Sequence, residues 1–329
     1  MKQNCTKIAV TAVRLETIVG APLNTSIWCR LGIARKISRW TKQNNDHQAL
    51  LILSDYGFPY RMLVHFCRAN KTPIFLYQDG FIFFEPWSKN ILGYLKRLIY
   101  RTFKILGVDY LISYQSFHTN PDLIFSWGDF FTRIFKLKTH SNVITLGSTI
   151  YAKNYKLISS SERSDGKMLY YSTFYRDIEK DLLSKREAVT NLKSIISLDE
   201  DLICDVKLHP LDKNRIYFEQ LLQKNMLNAR IHMLSNNFQL SENIENYKII
   251  ISEFSTETIF ASMFHKNVLF VKNILNEKHF KTLSDFLKNQ RIADKEYYRA
   301  DPNLTERFQA EYFQKFNVER FEQAVQKHY

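Results

Sequence analysis

The stretch Ile249 to Val271, IIISEFSTETIFASMFHKNVLFV, leaves few folds open to the chain. A β-branched run, Ile249 to Ile251, ends in the polar cluster Ser252, Glu253, Ser255 and Thr256. A helix-like stretch follows, then the apolar run Val268 to Val271. This order reads as strand, hydroxyl-rich turn, helix, strand. Such a turn sets Ser and Thr side chains and backbone N–H groups at a helix N-terminus, where a phosphate is favoured. About forty residues earlier, Leu202 to Leu208 reads as a strand that delivers His209 at its end, followed by Pro210. Ser and Thr also cap ordinary helices, and His-Pro also makes plain turns. The pairing of the two at the carboxyl ends of strands is what points to a ligand.

The same grammar runs along the whole chain of 329 residues, a length suited to two domains of about 165 residues each. In the first half, strands are expected at Lys7 to Val13, Ala49 to Leu53, Pro73 to Tyr77, Leu123 to Gly128 and Val143 to Gly147. Helices are expected at Asn24 to Trp40, Tyr60 to Arg68 and Ser88 to Leu106. Residues 151–166, polar with Ser159, Ser160 and Ser161 and then Asp165-Gly166, read as a linker. A second series follows: strand Met168 to Tyr171, helix Arg176 to Ile196, strand Leu202 to Leu208, helix Ile216 to Lys224, strand Arg230 to Leu234, and the two strands named above. Pro302 to His328 reads as a helix with regularly spaced aromatics. Short strands alternating with helices predict an α/β protein of two Rossmann-like parallel-sheet domains facing a cleft. The expected division is 1–150 on the acceptor side, linker 151–166, 167–301 for a nucleotide donor, and 302–329 as a C-terminal helix returning to the first domain.

In parallel sheets ligands bind beyond the carboxyl ends of strands. Polar residues fall there repeatedly: Ser54 and Asp55, Gln78 and Asp79, Gly147 and Ser148, Ser172 and Thr173, Lys207 and His209, Ser252 and Ser255. Ser255, Thr256 and the amides behind them suit phosphate oxygens, His209 suits a leaving group gaining negative charge, and Asp79 suits an acceptor hydroxyl losing its proton. Ser172, Thr173 and Arg176 lie at the same sheet edge. Asp199-Glu200-Asp201 offers carboxylates but precedes its strand, at the opposite edge, so no metal site is expected. No phosphate-loop, dinucleotide or nucleophile-elbow signature occurs. His65, His118, His140, His232 and His265 are expected to be structural.

Charge is uneven. Residues 1–150 carry 19 Lys and Arg against 8 Asp and Glu, while the remainder carries 27 against 25. A basic surface attracts nucleic acid, anionic lipid or acidic small molecules. Aromatics sit in apolar periodic runs and not among the basic residues as stacking platforms, which argues against nucleic acid. In Ser88 to Leu106, Ile91, Leu92, Leu95, Leu98, Ile99, Ile105 and Leu106 share one helical side and Lys89, Lys96, Arg97, Arg101 and Lys104 the other. That suits a helix at a membrane surface, or one packed on its own domain with the basic side toward lipid headgroups. Lys96, Arg97 and Lys104, with Gln78 and Gly80, are the expected acceptor or membrane contacts. No run approaches the roughly 20 apolar residues of a membrane span, and the first residues lack the apolar core of a signal peptide. A cytoplasmic protein, peripheral at the inner membrane face, is expected. Cys5, Cys29, Cys67 and Cys204 have no metal or disulfide spacing.

Four segments together, YQDG at Tyr77 to Gly80, YYSTFYRD at Tyr170 to Asp177, VKLHP at Val206 to Pro210 and the stretch from Ile251 onward, resemble bacterial surface-glycan transferases of the two-Rossmann (GT-B) architecture. Two branches look closest: bacterial sialyltransferases, and the CDP-glycerol glycerophosphotransferase and capsule-transferase group. The resemblance implies a metal-independent, inverting transferase without a cofactor. Its donor would be a nucleotide sugar, of sialic acid or a related acidic sugar, and its acceptor a surface glycan or glycolipid. The alternatives are polyol-phosphate transfer from a cytidine diphosphate donor, or binding without catalysis. Asp79 falls in the general-base motif, His209 in the His-Pro motif, and Ser255 with Thr256 in the phosphate motif, beside Ser172, Thr173, Arg176, Lys207, Pro210, Ser252 and Glu253. The first position of the acidic-acidic-Gly motif is Gln78 here, which leaves open inactivity, a different donor, or another base such as Asp55.

Overall fold

Short apolar runs become strands, and these define two sheets. A computed structural model describes residues 27–44, 49–53, 58–79, 91–106, 120–149, 167–173, 175, 178–197, 201–209, 212, 214–227, 229–263, 267–272, 276–277, 280, 283–292 and 295–327. The expected strand Lys7 to Val13, the linker 151–166 and the residues Ser54, Asp55, Asp199 and Glu200 lie outside these. The chain divides into two units: Met1–Ser148 with Gln314–Tyr329, and Thr149–Phe313.

In the first unit the parallel strands β1 (Leu50–Ile52), β2 (Ile74–Tyr77), β3 (Leu123–Ser126) and β4 (Asn142–Thr145) lie in sequential order. Every residue of β2 and β3 is buried, as expected of parallel strands with helices on both faces. Helices α1 (Ile27–Gln43), α2 (Phe58–Ala69) and α3 (Ile91–Ile105) follow the expected ranges closely. Helix α4 (Asp129–Lys138) is an addition, and it buries Phe131 and Phe135. Cys67 on α2 and Cys204 are free and buried, and burial pushes the Cys67 thiol up to about 11.

The second unit holds β5 (Lys167–Tyr171), β6 (Cys204–Lys207), β7 (Ile231–Met233), β8 (Tyr247–Ser252) and β9 (Val268–Val271), all parallel. The sheet order is β7-β6-β5-β8-β9, the doubly wound order of a Rossmann half. Helix α5 (Ile178–Ile196) packs Ala188, Val189, Leu192 and Ile196 on Met168, Tyr170 and Val206, and α6 (Arg215–Lys224) adds Phe218 and Leu222. Two short helices, α7 (Leu240–Asn243) and α8 (Thr256–Ala261), flank β8.

Two further features depart from the sequence reading. A hairpin of β10 (Leu287–Ile292) and β11 (Lys295–Ala300) extends the sheet antiparallel to β9. Its strands, LKNQRI and KEYYRA, are too charged to read as buried ones, because an edge hairpin keeps one face in water. The tail is not one helix. Helix α9 (Thr305–Tyr312) ends at Phe313, whose φ of −144° and ψ of 72° are not helical, and α10 (Val318–Lys327) starts afresh. Between them Gln314 N–H donates to Trp127 O at 2.8 Å, Ser148 N–H to Gln314 O at 2.8 Å, and Asn317 N–H to Leu146 O at 2.9 Å. These bonds join the returning chain to the first unit, where Phe321 of α10 packs on Phe125. Gly147 makes the close approach feasible. Its φ is +95°, and a Cβ there would stand 2.3 Å from Lys315 O.

Candidate functional site

In the second unit, β5 and β8 are neighbours whose following connections leave in opposite directions, β5 toward β6 and β8 toward β9. That makes the carboxyl ends of β5 and β8 the topological switch point, where the diverging connections open a crevice. Tyr171–Thr173 end one strand and Ser252–Ser255 the other.

The turn after β8 is fixed by its hydroxyls. Ser252 Oγ lies 2.8 Å from Thr258 Oγ1 and accepts from Phe254 N–H at 3.1 Å. Ser255 caps α8: its Oγ accepts from Thr258 N–H at 3.1 Å, and Thr258 Oγ1 accepts from Ser255 N–H at 3.1 Å, a reciprocal capping box. Phe254 has a φ of +88°, a left-handed conformation costing a non-glycine residue about 1–2 kcal/mol. Packing holds it there. Its ring stacks on Phe270 at 4.5 Å and meets Phe280 edge-on at 4.6 Å, and its carbonyl accepts from Thr173 Oγ1 at 3.2 Å. That last bond ties the end of β8 to the end of β5. Backbone strain maintained by its surroundings is a recurrent property of ligand sites.

Beneath the strand ends lies a buried polar bed. Lys185 of α5 is fully buried, with Asp212 at 2.6 Å and Asp181 at 3.6 Å, and it donates to Ser172 Oγ and Thr173 O, each at 3.1 Å. Asp181 accepts from Tyr175 N–H at 3.0 Å and from Asn214 Nδ2 at 2.6 Å. Glu253, also fully buried, accepts from Tyr170 Oη at 2.9 Å, Ser184 Oγ at 2.8 Å and Thr173 N–H at 3.4 Å. Burial still raises the Glu253 carboxyl above its ordinary value, although these donors and Lys185 oppose the shift. Burying charge is costly unless it is paired or hydrogen-bonded, and here Lys185 is paired with Asp212 and Asp181 while Glu253 is held by hydrogen bonds. Tyr171 Oη donates to Glu257, whose other oxygen accepts from Leu240 N–H at 2.9 Å.

His209 stands half-buried at the end of β6, its carbonyl accepting from Asp212 N–H at 2.9 Å. Desolvation lowers its pKa first of all. Asp212 opposes this, Lys185 and Lys207 add to it, and Asp181 opposes it. The shift favours the uncharged ring, which can donate a hydrogen bond through one nitrogen.

The residues expected to hold a nucleotide thus separate into two groups. Thr173, Ser255 and Thr256 remain half-buried at the strand ends. Ser172, Lys207, Ser252 and Glu253 do not face outward: each is 2% exposed or less. Ser172 and Glu253 belong to the bed, Ser252 braces the turn, and the Lys207 ammonium donates to Ser235 O at 3.1 Å and Asn236 O at 3.0 Å. Desolvation lowers the Lys207 pKa accordingly. Arg176 and Pro210 lie outside the described residues. Lys185, Asp181 and Asp212 were not anticipated. Their signal is that Asp181 and Lys185 share the helical stripe of Ala188, Leu192 and Ile195, where charge is out of place.

In the first unit Gln78 is fully buried, and its Oε1 accepts from Trp127 N–H at 2.9 Å. It braces the ends of β2 and β3 and is not an acceptor contact. Asp79 is exposed at the end of β2, its carboxyl raised above the ordinary value by partial desolvation. Gly80 lies outside the described residues, as do the side chains of Lys96, Arg97 and Lys104 on α3. Among the described residues no helix is long and apolar enough to cross a membrane.

No family model and no curated protein matches the chain. Solved structures do. MnaA of S. aureus, in a co-structure with UDP, covers 91% of this chain and 79% of its own at 13% identity and a TM-score of 0.51. UDP-N-acetylglucosamine 2-epimerase from Rickettsia bellii covers 76% of this chain at 16% identity and a TM-score of 0.49, and this chain spans 63% of its length. UDP-GlcNAc 2-epimerase from Neisseria meningitidis, bound to UDP-GlcNAc, covers 94% and 83% at 11% identity and a TM-score of 0.48. The likeness is one of fold: two Rossmann-like units of the GT-B type.

Proposed function

We propose that the chain is a glycosyltransferase that moves a sugar from a nucleotide-activated donor to a cell-surface glycan or glycolipid. The observation that carries this reading is the β5/β8 switch point of the second unit, floored by the buried polar bed around Lys185 and Glu253 and edged by Thr173, Ser255, Thr256 and His209. Hydroxyls and amides in a braced turn bind phosphate oxygens without a mobile cation, and fixed donors stabilise charge that develops there. MnaA, of like fold, is solved with UDP. The sequence resemblance adds the transferase activity and an acidic sugar on a cytidine nucleotide as the donor.

In this reading the nucleotide lies on the second unit. The acceptor oxygen attacks the anomeric carbon, and Asp79 takes its proton. The bond from that carbon to the phosphate oxygen breaks with its electron pair going to the phosphate, where the neutral His209 ring donates a hydrogen bond. The configuration inverts. A raised carboxylate pKa suits a base working nearer neutrality. The excess of basic residues in 1–150 suits an anionic acceptor.

Gln78 supports a second reading, nucleotide binding without transfer, because the first acidic position of the base motif is a buried structural amide here. Thermal shift of the full chain with CMP, CDP, UDP, GDP and ADP, then product mass with the matching donor, separates the two. A ligand at about a hundredfold its Kd stabilises the folded state by about 2.7 kcal/mol. A shift followed by a glycosylated product that Asp79→Asn abolishes supports the transferase. A phosphodiester product assigns the chain to polyol-phosphate transfer, and binding without any product assigns it to the second reading. No shift with any nucleotide refutes both.

A further inference from the structure

Among the described side chains of helix α3, an apolar arc faces solvent. Tyr94, Leu95, Leu98, Ile99, Ile105 and Leu106 are all exposed, from 47% for Leu95 to 86% for Ile105. At about 100° per residue they occupy one arc of roughly 140°. The helix sequence, ILGYLKRLIYRTFKI, contains no acidic residue. Arg101, itself exposed, falls at one edge of the arc, the Lys96 position falls beyond the other, and the positions of Arg97 and Lys104 lie on the opposite side. Sequence reasoning allowed the apolar side to pack on its own domain with only the basic side toward lipid. In the structure these apolar side chains face solvent, as does Arg101.

Single exposed apolar residues are ordinary on a protein surface, whereas a contiguous stripe with a charged border marks an interaction face. The border selects the occupant. Two copies of this face brought together by a twofold axis would set basic edge against basic edge, with no acidic residue in the helix to compensate. An anionic bilayer satisfies both parts: acyl chains take the Leu and Ile side chains, headgroups take Lys and Arg, and Tyr94 suits the interface between them. A helix of 15 residues is about 22 Å long, too short to cross a bilayer and long enough to lie along one. We infer that α3 is a peripheral membrane anchor, seated in the interface of an anionic bilayer with its apolar arc inward. This does not depend on the transferase reading, and its test involves no nucleotide.

The test is co-sedimentation of the full chain with vesicles of phosphatidylcholine alone and of phosphatidylcholine mixed with phosphatidylglycerol. Sedimentation is expected with the anionic mixture, weaker at high salt, and little or none with phosphatidylcholine alone. Replacing Leu98 and Ile105 together by Gln should lower partitioning more than tenfold, and Arg101→Gln about fivefold. All three positions are exposed, so an unchanged melting temperature verifies that these variants fold. With Tyr94→Trp, emission should shift to the blue on adding the anionic vesicles. Absence of sedimentation with those vesicles, or sedimentation unaffected by Leu98→Gln with Ile105→Gln, overturns the inference. So does light scattering that finds a dimer which the same double variant makes monomeric, without lipid binding.

Discussion

Removing the Lys185 ammonium should destabilise the second unit sharply. Lys185→Met preserves length and apolar contact but leaves Asp212, whose closest cation stood at 2.6 Å, and Asp181, at 3.6 Å, buried without a counter-charge. Asp181 retains two bonds, from Tyr175 N–H and Asn214 Nδ2, and Asp212 retains one, from Asn214 N–H to Oδ1 at 2.8 Å, so the greater loss falls on Asp212. Breaking a buried pair from one side costs about 3–5 kcal/mol. A domain is stable by about 5–15 kcal/mol in all. For a unit of this size the melting temperature should fall by on the order of 10 °C. The four tryptophans, Trp28, Trp40, Trp87 and Trp127, all belong to the first unit. Calorimetry therefore follows the whole protein while tryptophan emission follows the first unit, and the loss should appear in the calorimetric transition that tryptophan does not report. Adding Asp212→Asn should recover at least half of it, because a pair removed from both sides is far less costly than one broken from one side. A shift within about 2 °C of the parent, or a double variant less stable than Lys185→Met, would refute the reasoning.

Other perturbations test other parts. Gly147→Ala meets Lys315 O in a backbone region closed to alanine, so it should cost more than the usual 1–2 kcal/mol of left-handed strain and expose Gln314–Tyr329 to limited proteolysis. Ser255→Ala removes the α8 cap and should cost about 1 kcal/mol in urea melts; in the proposed function it should also weaken nucleotide binding, measured by titration calorimetry. Because burial lowers the His209 pKa, the unfolded chain binds a proton at higher pH than the folded one, so this contribution to stability is complete above about 6.5 and is lost as pH falls through the lower folded value. Urea melts against pH should show that slope, and His209→Asn should flatten it. Transfer should fail on acidification at a pH above the ordinary Asp value of 3.8, since the Asp79 carboxyl is raised, and a profile without that limb would exclude Asp79 as base.

Much of the architecture could be read from local pattern. The run Val268–Val271 is β9 residue for residue, and Ile74–Tyr77 lies within one residue of its expected start, because continuous apolar runs leave a strand buried on both faces little freedom. Strand order was not accessible, since pairing β5 with both β6 and β8 depends on contacts far apart in sequence. The charged hairpin Leu287–Ala300 and the break at Phe313 escaped for the same reason: one is defined by docking on β9, the other by bonds to Trp127 and Leu146. At the candidate site, pattern placed Ser252, Glu253 and Ser255 at a strand end but could not tell which would turn inward. Lys185 was missed because an Asp and a Lys four apart on a helix ordinarily form a surface pair. Only their position on the stripe of Ala188 and Leu192 distinguishes them.

Amide hydrogen exchange of the full chain, with and without whichever nucleotide raises its melting temperature, tests the central claim most directly. Slowed exchange is predicted at Tyr171–Thr173, His209 and Ser252–Thr258, the ends of β5, β6 and β8, with no change along α3. Slowed exchange confined to the first unit, or to the β10–β11 hairpin, would contradict the assignment of the nucleotide to the β5/β8 switch point.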